Sequence, residues 1–332
     1  MSNISKLMFL IILMTGTMIT TCSSSWMGMW MGLEINLLSF IPLMTSKLNK
    51  KESEAAMKYF ITQAMASTIF MMTIIIELPQ DNLMKIQLFS MNSAIFTKMG
   101  AAPFHFWFPE VIEGLNWTSS LILLTWQKIA PMTIMMETNK SFTFLSLIMM
   151  TSIMISGIMG INQTSMKKIL AYSSINHTGW MLGTMMSNKT TWLIYLIIYS
   201  AMTANLILIF KKINVINIAQ MTKQMNKNKM MKMTMCVNFL SMGGIPPFIG
   251  FFPKWVVINS MINTEMLMLT FMMITATLMT IFFYLRIMIN SLLSSKTEET
   301  YKQENMSMYS IIKMNCLTLM SLMITPLLTI MI

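Results

Sequence analysis

The sequence predicts an all-α polytopic membrane protein, and three bulk properties support this prediction. Hydrophobic residues make up 55% of the 332 residues, and the mean hydropathy is +0.62. Asp, Glu, Lys and Arg together make up only 11%, whereas soluble domains usually carry about 25%. Since one membrane-spanning helix needs about 20 apolar residues, a chain of this length has room for roughly ten or eleven spans. We expect no separate soluble domain.

Apolar runs place about eleven transmembrane helices along the chain. The first resembles a signal peptide, but it lacks an Ala-x-Ala-like cleavage site and many similar segments follow, so we interpret it as a span. Most connections are short turns, and the longer ones are 45–58, the Lys-rich segment 211–232 and 291–309. The approximate spans are 4–22, 26–45, 57–76, 84–112, 118–137, 142–160, 169–187, 191–210, 233–261, 265–290 and 310–331.

Basic residues are distributed unevenly between the two faces that alternating connections define. The face opposite the N-terminus receives only Lys85, Lys140 and Lys189. By the positive-inside rule, the N-terminus therefore faces the compartment of synthesis and the C-terminus the other side. The N-terminal face receives Arg286 and lysines 6, 47, 50, 51, 58, 167, 168, 211, 212, 223, 227, 229, 232, 296, 302 and 313.

Methionine and lysine usage points to a compartment. Methionine occurs 47 times, and Arg286 is the only arginine among the 23 basic residues. Both biases follow if an A/T-rich gene is read with a mitochondrial code, in which AUA encodes Met and AAA encodes Lys. The cysteines at 22, 236 and 316 are isolated, so the sequence indicates neither a disulfide framework nor a metal site.

The fourth and ninth predicted spans are the longest, and both contain helix-breaking residues. With Pro103 placed on Pro247, each reads Pro-Phe-x-x-x-Phe-Pro followed by a charged residue. Lipid cannot satisfy the backbone groups that Pro and Gly free, so such breaks persist where they line a polar cavity. We predict two discontinuous helices, with the breaks at Gly100 to Pro103 and Gly243 to Pro247. Simple kinks are the alternative.

The matched motifs also predict an internal duplication. The two spans are five apart in the order of spans, an odd number, so the duplicated halves would cross the membrane in opposite directions. Inverted repeats of this kind are typical of transporters. Chance similarity within an apolar sequence is the alternative interpretation.

Four charged side chains lie well inside predicted spans, away from the span ends, and each is expensive there. A charge at the bilayer centre costs about 2.5–3.5 kcal/mol on insertion scales. With no metal-ligand cluster or phosphate-binding loop nearby, three amines and one carboxylate indicate groups that change protonation along a proton path. These residues are Glu34, Lys98, Lys128 and Lys254.

The placement of these charges suggests how they are accommodated. Glu34 and Lys98 are the opposite charges at similar depth in the first half, so we expect them within ion-pair or single-water distance. A purely structural salt bridge is the alternative. Lys128 lies near the middle of its span, where it needs a carboxylate, water or loss of its proton.

The two histidines are further candidate relay residues. His177 lies in the segment 172–180, which is rich in small and hydroxyl side chains and could hold a file of water. His105 lies just beyond the first predicted break. A structural hydrogen bond to a neighbouring hydroxyl is the alternative for either imidazole.

Several of these segments together resemble subunit 2 of mitochondrial NADH:ubiquinone oxidoreductase, respiratory complex I, in its animal and specifically insect form. The resemblance covers most of the chain, in order and spacing, and is weakest in the C-terminal quarter. The segments that carry it are Trp30 to Pro42, Lys98 to Glu110, Trp126-Gln-Lys128, Lys168 to His177 and Gly243 to Lys254.

The resemblance implies an antiporter-like subunit of the membrane arm, shortened at its N-terminus relative to the bacterial form and built on two inverted five-helix repeats. It implies one transmembrane domain over 1–332. The first repeat, with a proton half-channel, would occupy approximately 23–210. The second repeat and the C-terminal helices would occupy approximately 142–332.

Site residues carry over from this family by position. The matches to Glu34 and Lys98 form the pair of the first half-channel. The match to Lys128 is the central relay, and the match to Lys254 belongs to the second half. The resemblance implies a core subunit of the proton-translocating NADH:ubiquinone reductase, with no redox catalysis in this chain alone.

Cofactors, partners and location are also implied by the resemblance. This chain would hold no cofactor, because NADH, FMN, iron–sulfur clusters and ubiquinone belong to other subunits. Its partners would be neighbouring antiporter-like and small membrane subunits, membrane lipids and protons, and not nucleic acid. It would be a multi-pass protein of the mitochondrial inner membrane, with its N-terminus on the matrix side and its C-terminus on the intermembrane side.

Two other function classes remain open from the sequence. A subunit of a multisubunit cation/proton antiporter would share the fold without redox partners, but the Met and Lys bias argues against its bacterial setting. A purely structural membrane scaffold would have no reason to keep lysines at three positions within spans.

Overall fold

A computed structural model of the chain describes residues 3–45, 49–76, 81–138, 141–187, 189–227 and 229–293. Within these residues the structure is helical, apart from an isolated bridge between Ser165 and Asn217. The chain divides into two units, Met1–Ser152 and Ile153–Ile332. The last predicted span, 310–331, lies outside the described residues, as does Cys316.

The first unit begins with a close pair of antiparallel helices and contains several short ones. Its helices are α1 (Asn3–Cys22), α2 (Trp26–Met44), α3 (Lys50–Ile75), α4 (Asp81–Met99), α5 (Trp107–Gly114), α6 (Trp117–Leu124) and α7 (Ile129–Glu137). A further helix, α8 (Phe142–Ile161), begins in this unit and ends in the next.

Small residues bring α1 and α2 together. A Cβ atom on Gly32 would lie 2.5 Å from the Thr20 Cγ2 atom and 2.8 Å from the Gly16 carbonyl oxygen. Glycine therefore allows the two backbones to approach closely, which is how helices commonly associate within a membrane. The approach also places Gly16 against α2, a contact that matters for the site below.

The second unit contains three long helices and a second interrupted one. Its helices are α9 (Met166–Ser187), α10 (Lys189–Ile213), α11 (Ile218–Lys227), α12 (Lys229–Gly243), α13 (Phe251–Asn263) and α14 (Leu267–Leu293). The interpretation of 211–232 as a connecting loop was incomplete, because α11 lies within it. Met221 and Met225 are buried one turn apart on α11 while Lys223 is exposed, so α11 is an amphipathic surface helix.

Within the part of the chain that the structure describes, five helices are long and apolar enough by themselves to cross a membrane. The breaks described next divide other predicted spans into pieces that are too short to do so alone. The five are Ile4–Cys22, Trp26–Met44, Phe142–Ile161, Lys189–Ile213 and Leu267–Leu293.

The fourth predicted span is broken where the sequence indicated. Helix α4 ends at Met99, and Gly100 adopts a left-handed conformation with φ +69°. The Gly100 amide donates to the Thr97 carbonyl at 3.2 Å, and the Ala101 amide donates to the Phe96 carbonyl at 3.1 Å. This pair of bonds is a Schellman cap, which needs a residue that tolerates positive φ.

The ninth predicted span ends its first half in the same way. Gly244 has φ +75°. Its amide donates to the Ser241 carbonyl at 3.0 Å, and the Ile245 amide donates to the Leu240 carbonyl at 3.3 Å. Both predicted discontinuous helices are therefore confirmed, each with glycine closing the first half-helix.

A third break was not predicted. The fifth span, expected to be one helix over 118–137, is divided by a 3₁₀ turn at Trp126–Lys128 between α6 and α7. Pro131 explains the interruption, because it has no N–H for the carbonyl of Gln127 and its ring would clash with that carbonyl in a regular helix. The turn places Lys128 at a junction between helices instead of in the middle of one.

Candidate functional site

Two of the predicted lysines of the first unit line the same cavity. Lys98, in the last turn of α4, is 9% exposed, and Lys128, at the end of the 3₁₀ turn, is 2% exposed. The cavity has a volume of about 20 Å³, which is enough for one water molecule. Besides the two amines, its polar lining residues are Asn36, Tyr59, Gln63 and Gln127.

Lys98 lies in the last turn of α4, where the helix end stabilises it. The carbonyl end of a helix carries a partial negative charge, which favours a cation in the last turn. Glu34, half-buried on α2, acts on the Lys98 amine electrostatically. The lysine nevertheless reaches its buried position without a carboxylate in direct contact.

Among the described residues, Glu34 and Lys98 do not form a direct ion pair. The ion pairs there join Lys58 to Glu54 at 3.3 Å and to Glu110 at 2.8 Å, on exposed side chains. Full burial of two charges would remove the water that a half-buried carboxylate keeps, and this penalty often exceeds the attraction. Separation of Glu34 and Lys98 by a single water stays a prediction.

Lys128 is close to the first helix break. Its Nζ atom lies 5.7 Å from the centre of the Phe108 ring, a distance suited to a cation–π interaction. Phe108 is in the first turn of α5, just after the break, and also lines the cavity. The amine is therefore placed between the 3₁₀ turn and the half-helix that follows the first break.

In the second unit, the helix break supplies the partner of the buried lysine. Lys254, in the first turn of α13, is 6% exposed, and its Nζ atom donates to the Gly243 carbonyl at 2.7 Å. The same atom lies 5.8 Å from the centre of the Trp180 ring. Among the described residues it forms no ion pair with a carboxylate, so a carbonyl released by the break takes that role.

His177 lies in a buried polar cluster of the second unit. It is 1% exposed, and its Nδ1 atom is 2.9 Å from the Tyr195 hydroxyl. The ring of Tyr199 packs 4.9 Å from the imidazole, centre to centre. On the same helix, buried Ser173 and Ser174 hydroxyls donate back to carbonyls three residues earlier, which leaves their lone pairs to accept further hydrogen bonds.

His105 lies within the first break. The imidazole is 2% exposed, its Nδ1 atom is 3.3 Å from the Pro103 carbonyl oxygen, and its ring packs against Phe106 at 4.6 Å. These contacts are local to the turn. His105 does not line the cavity that Lys98 and Lys128 share.

Comparison with known proteins assigns the family. Residues 23–280 match the family described as "NADH:quinone oxidoreductase/Mrp antiporter, TM". The chain is 42% identical to NADH-ubiquinone oxidoreductase chain 2 of Aedes aegypti over 98% of both proteins. The chain belongs to the NADH-ubiquinone oxidoreductase chain 2 family. It is also 40% identical to the family member of Locusta migratoria, with 90% of this chain and 89% of that protein covered.

Solved structures share the fold of this chain 2 family member. A chain of respiratory complex I from Thermus thermophilus matches with a TM-score of 0.83 at 21% identity, covering 97% of this chain and 79% of that one. A chain of the Mrp complex from Dietzia matches with a TM-score of 0.74 at 14% identity, covering 87% and 61%. At these identities the likeness concerns the antiporter-like fold alone.

Several polar residues of the site were not singled out from the sequence. Asn36 and Gln127 line the cavity of the first unit, and Tyr195 contacts His177 in the second. An amide within an apolar span is itself a signal, because an amide in hydrocarbon needs a partner. Tyr195 gave no such signal, since tyrosine also occurs at membrane interfaces. In the described residues, no group of three or more His, Cys, Asp or Glu side chains is placed to hold a metal ion.

Proposed function

We propose that this chain is a proton-translocating core subunit of the membrane arm of respiratory complex I. The observation that carries the proposal is the placement of three buried lysines at helix breaks, in a family whose members are named NADH-ubiquinone oxidoreductase chain 2. Its partners are other complex I subunits, and it is a multi-pass protein of the mitochondrial inner membrane. The lysine asymmetry supports a matrix-side N-terminus.

In the first half-channel, Glu34, Lys98 and Lys128 pass a proton in sequence. Moving one charge against 100 mV requires about 2.3 kcal/mol. A change of one pKa unit is worth about 1.4 kcal/mol. A shift of about two units, produced when a partner charge approaches or withdraws, is therefore enough to drive this step. The shared cavity and the electrostatic action of Glu34 on Lys98 support this order.

In the second half, Lys254 is the proton carrier and His177 is its continuation toward Tyr195. Trp180 lies one helical turn after His177 on α9, and its ring lies against the Lys254 amine. His105 is a further candidate carrier at the first break. The contact of the buried imidazole with the Tyr195 hydroxyl fits both the relay role and the structural hydrogen bond, so the relay role of His177 stays a prediction.

We also propose that the two breaks are equivalent parts of inverted repeats, within a total of about eleven spans. Matching Pro103 with Pro247 superposes the sequence positions of both Schellman caps. It also matches a later backbone bond, from the Phe108 amide to the His105 carbonyl in one half and from the Phe252 amide to the Ile249 carbonyl in the other. Hydrogen bonds at matched positions support a duplication over chance similarity of composition.

The redox chemistry belongs to other subunits. In this proposal NADH, FMN, iron–sulfur clusters and ubiquinone act elsewhere, and this chain contributes proton movement to the enzyme without redox catalysis of its own. A free-standing cation/proton antiporter subunit is the less favoured function, because similarity at 42% identity is to NADH-ubiquinone oxidoreductase chain 2.

Replacing Lys128 with Met tests the proposal. The change keeps the volume and removes the charge, so Lys98 loses the amine with which it shares the cavity. In inner-membrane vesicles oxidising NADH, we expect coupled proton transfer through this subunit to slow by more than about tenfold, the effect of about 1.4 kcal/mol on a barrier. The complex should still assemble, because deleting a buried charge relieves its insertion cost.

Lys58→Met is the matched control, because Lys58 is an exposed lysine outside the proposed path. Its variant should assemble and translocate protons like the unmodified complex. A normal ratio of protons to electrons in Lys128→Met would mean that Lys128 only packs, and the relay would be excluded for this subunit.

A further inference from the structure

Two side-chain amides that line the cavity of the first unit have buried atoms without hydrogen-bond partners among the described residues. Asn36, on α2, is 3% exposed, and neither its Oδ1 nor its Nδ2 atom has a partner there. The Nε2 atom of Gln127, in the 3₁₀ turn, is in the same condition. Each unsatisfied buried group costs about 1–3 kcal/mol. Such groups are rare in native proteins unless water or function explains them.

Both amides line the cavity that also contains Lys98 and Lys128. A buried water needs two to four polar partners and a space of roughly 10–15 Å³ or more. The cavity offers about 20 Å³. Asn36 supplies one acceptor and two donors, Gln127 supplies a donor, and the lysines supply donors or, when neutral, acceptors. The space and its lining therefore meet the requirements of one hydrogen-bonded water.

Helix α1 holds the Asn36 amide in place from the other side. A Cβ atom added to Gly16 would lie 2.7 Å from the Asn36 Oδ1 atom and 3.2 Å from its Cγ atom. A side chain at this position would thus displace the amide. Gly16 therefore leaves room for the Asn36 amide beside α1, and Asn36 is also a lining residue of the cavity.

We propose that Asn36 is a positioning residue that holds, together with Gln127, the water through which Lys98 and Lys128 exchange a proton. This inference rests on the proposed function. In the step, an N–H bond of the Lys98 ammonium breaks as the water oxygen takes the proton. An O–H bond of the same water breaks as the neutral Lys128 amine takes another, so the water is regenerated. The amide donates to and accepts from the water and is itself unchanged.

If Asn36 had a purely structural role, its substitution would leave proton transfer unchanged. Replacing an unsatisfied buried amide with an apolar side chain of similar shape is close to neutral or stabilising. Asn92 provides the comparison, because it is fully buried on α4 with both amide atoms unpartnered among the described residues but does not line the cavity. Substitution of Asn36 should therefore slow proton transfer without lowering stability, whereas substitution of Asn92 should lower neither.

The test compares Asn36→Leu and Asn92→Leu in the assembled complex within inner-membrane vesicles. Both variants should match or exceed the unmodified complex in thermal stability. Coupled proton transfer should fall about tenfold in Asn36→Leu, with a changed solvent deuterium isotope effect, and should stay normal in Asn92→Leu. Asn36→Ser, whose hydroxyl can hold the same water, should restore most of the transfer. Gly16→Ala should slow it without altering any lining residue.

Equal proton transfer in Asn36→Leu and the unmodified complex would overturn the inference, as would equal losses in Asn36→Leu and Asn92→Leu. Loss in Asn36→Leu with no recovery in Asn36→Ser would also overturn it, because packing alone would then be responsible. Lys128→Met, measured alongside, separates the two proposals. If that variant loses transfer while Asn36→Leu does not, the relay stands and only the role of Asn36 fails.

Discussion

The two interrupted helices use the same backbone cap but present their lysines on opposite sides of the break. In the first, Lys98 lies in the turn before the break, where the partial negative charge of the helix end favours an ammonium. In the second, Lys254 lies in the turn after the break, where the helix start disfavours it. The Gly243 carbonyl offsets this effect by accepting a hydrogen bond. The same type of cap can therefore accompany a buried amine on either side of the break.

The charged residues at matched positions of the two breaks have different environments. Glu110 follows the first motif and is exposed, 2.8 Å from the Lys58 amine. Lys254 follows the second motif and is buried. The two motifs are alike in backbone geometry, but only the charge in the second unit faces the protein interior. A matched motif therefore predicts a matched turn more reliably than a matched role.

Alanine at Gly250 should have the largest effect on this comparison. A Cβ atom at Gly250 would collide with the Ser241 backbone carbonyl oxygen, which cannot move aside as a flexible side chain can. We expect Gly250→Ala to destabilise the chain by about 3 kcal/mol, the upper end of usual overpacking penalties. The measurement is the amount of the chain in the assembled complex and its thermal stability.

Phe106 occupies the matched position of the first break and is 69% exposed. Phe106→Ala should leave assembly nearly unchanged. If Gly250→Ala assembles as well as Phe106→Ala, the second break does not depend on the close approach of Gly250 to Ser241. The two breaks would then not differ at this matched position.

Removing the matched charges should have the next largest effect. We expect Lys254→Met to slow coupled proton transfer by about tenfold, or about 1.4 kcal/mol on the barrier, because no described carboxylate or amine replaces it. Glu110→Gln should leave transfer close to normal, since only an exposed contact with Lys58 is lost. Proton-to-electron ratios in inner-membrane vesicles measure both. A larger loss in Glu110→Gln would place the proton path of this region at the surface.

Alanine at the two capping glycines should have the smallest effect on proton transfer. Each change places a side chain in the left-handed region, at about 1–2 kcal/mol, so thermal stability should fall similarly in Gly100→Ala and Gly244→Ala. Proton transfer should fall several-fold further in Gly244→Ala. Its Cβ atom would lie 2.8 Å from the Lys254 Nζ atom, whereas a Cβ atom at Gly100 meets the Phe108 ring at 3.1 Å.

Similar proton transfer in the two alanine variants would show that Lys254 tolerates displacement from the Gly243 carbonyl. The hydrogen bond would then serve the fold of the break and not the proton path. If the two alanine variants differed in thermal stability but not in proton transfer, the conclusion would be the same, because the cap would then affect stability independently of the Lys254 amine.

Helix breaks were predictable where glycine and proline occur together. Glycine and proline at Gly100 to Pro103 and Gly243 to Pro247 favoured a break over a kink, and the structure shows that Gly100 and Gly244 adopt the positive φ of a cap. The turn at Lys128 depended on Pro131 alone, which a single apolar span could also have accommodated as a kink. Helix α11 was missed because the Lys-rich composition of its segment indicated a loop, although two methionines one turn apart are buried.

The sequence by itself determined the membrane-spanning class, the positions of two breaks and the four ionisable residues within spans, because the cost of charge and of free backbone groups in lipid depends on local residue type. Tertiary structure alone decided which of these groups meet. It brought Lys98, Lys128, Asn36 and Gln127 to one cavity, kept Glu34 out of direct contact with Lys98, and gave Lys254 a carbonyl partner. Contacts between helices depend on how the helices pack and rotate, and no local pattern in one helix specifies these relations.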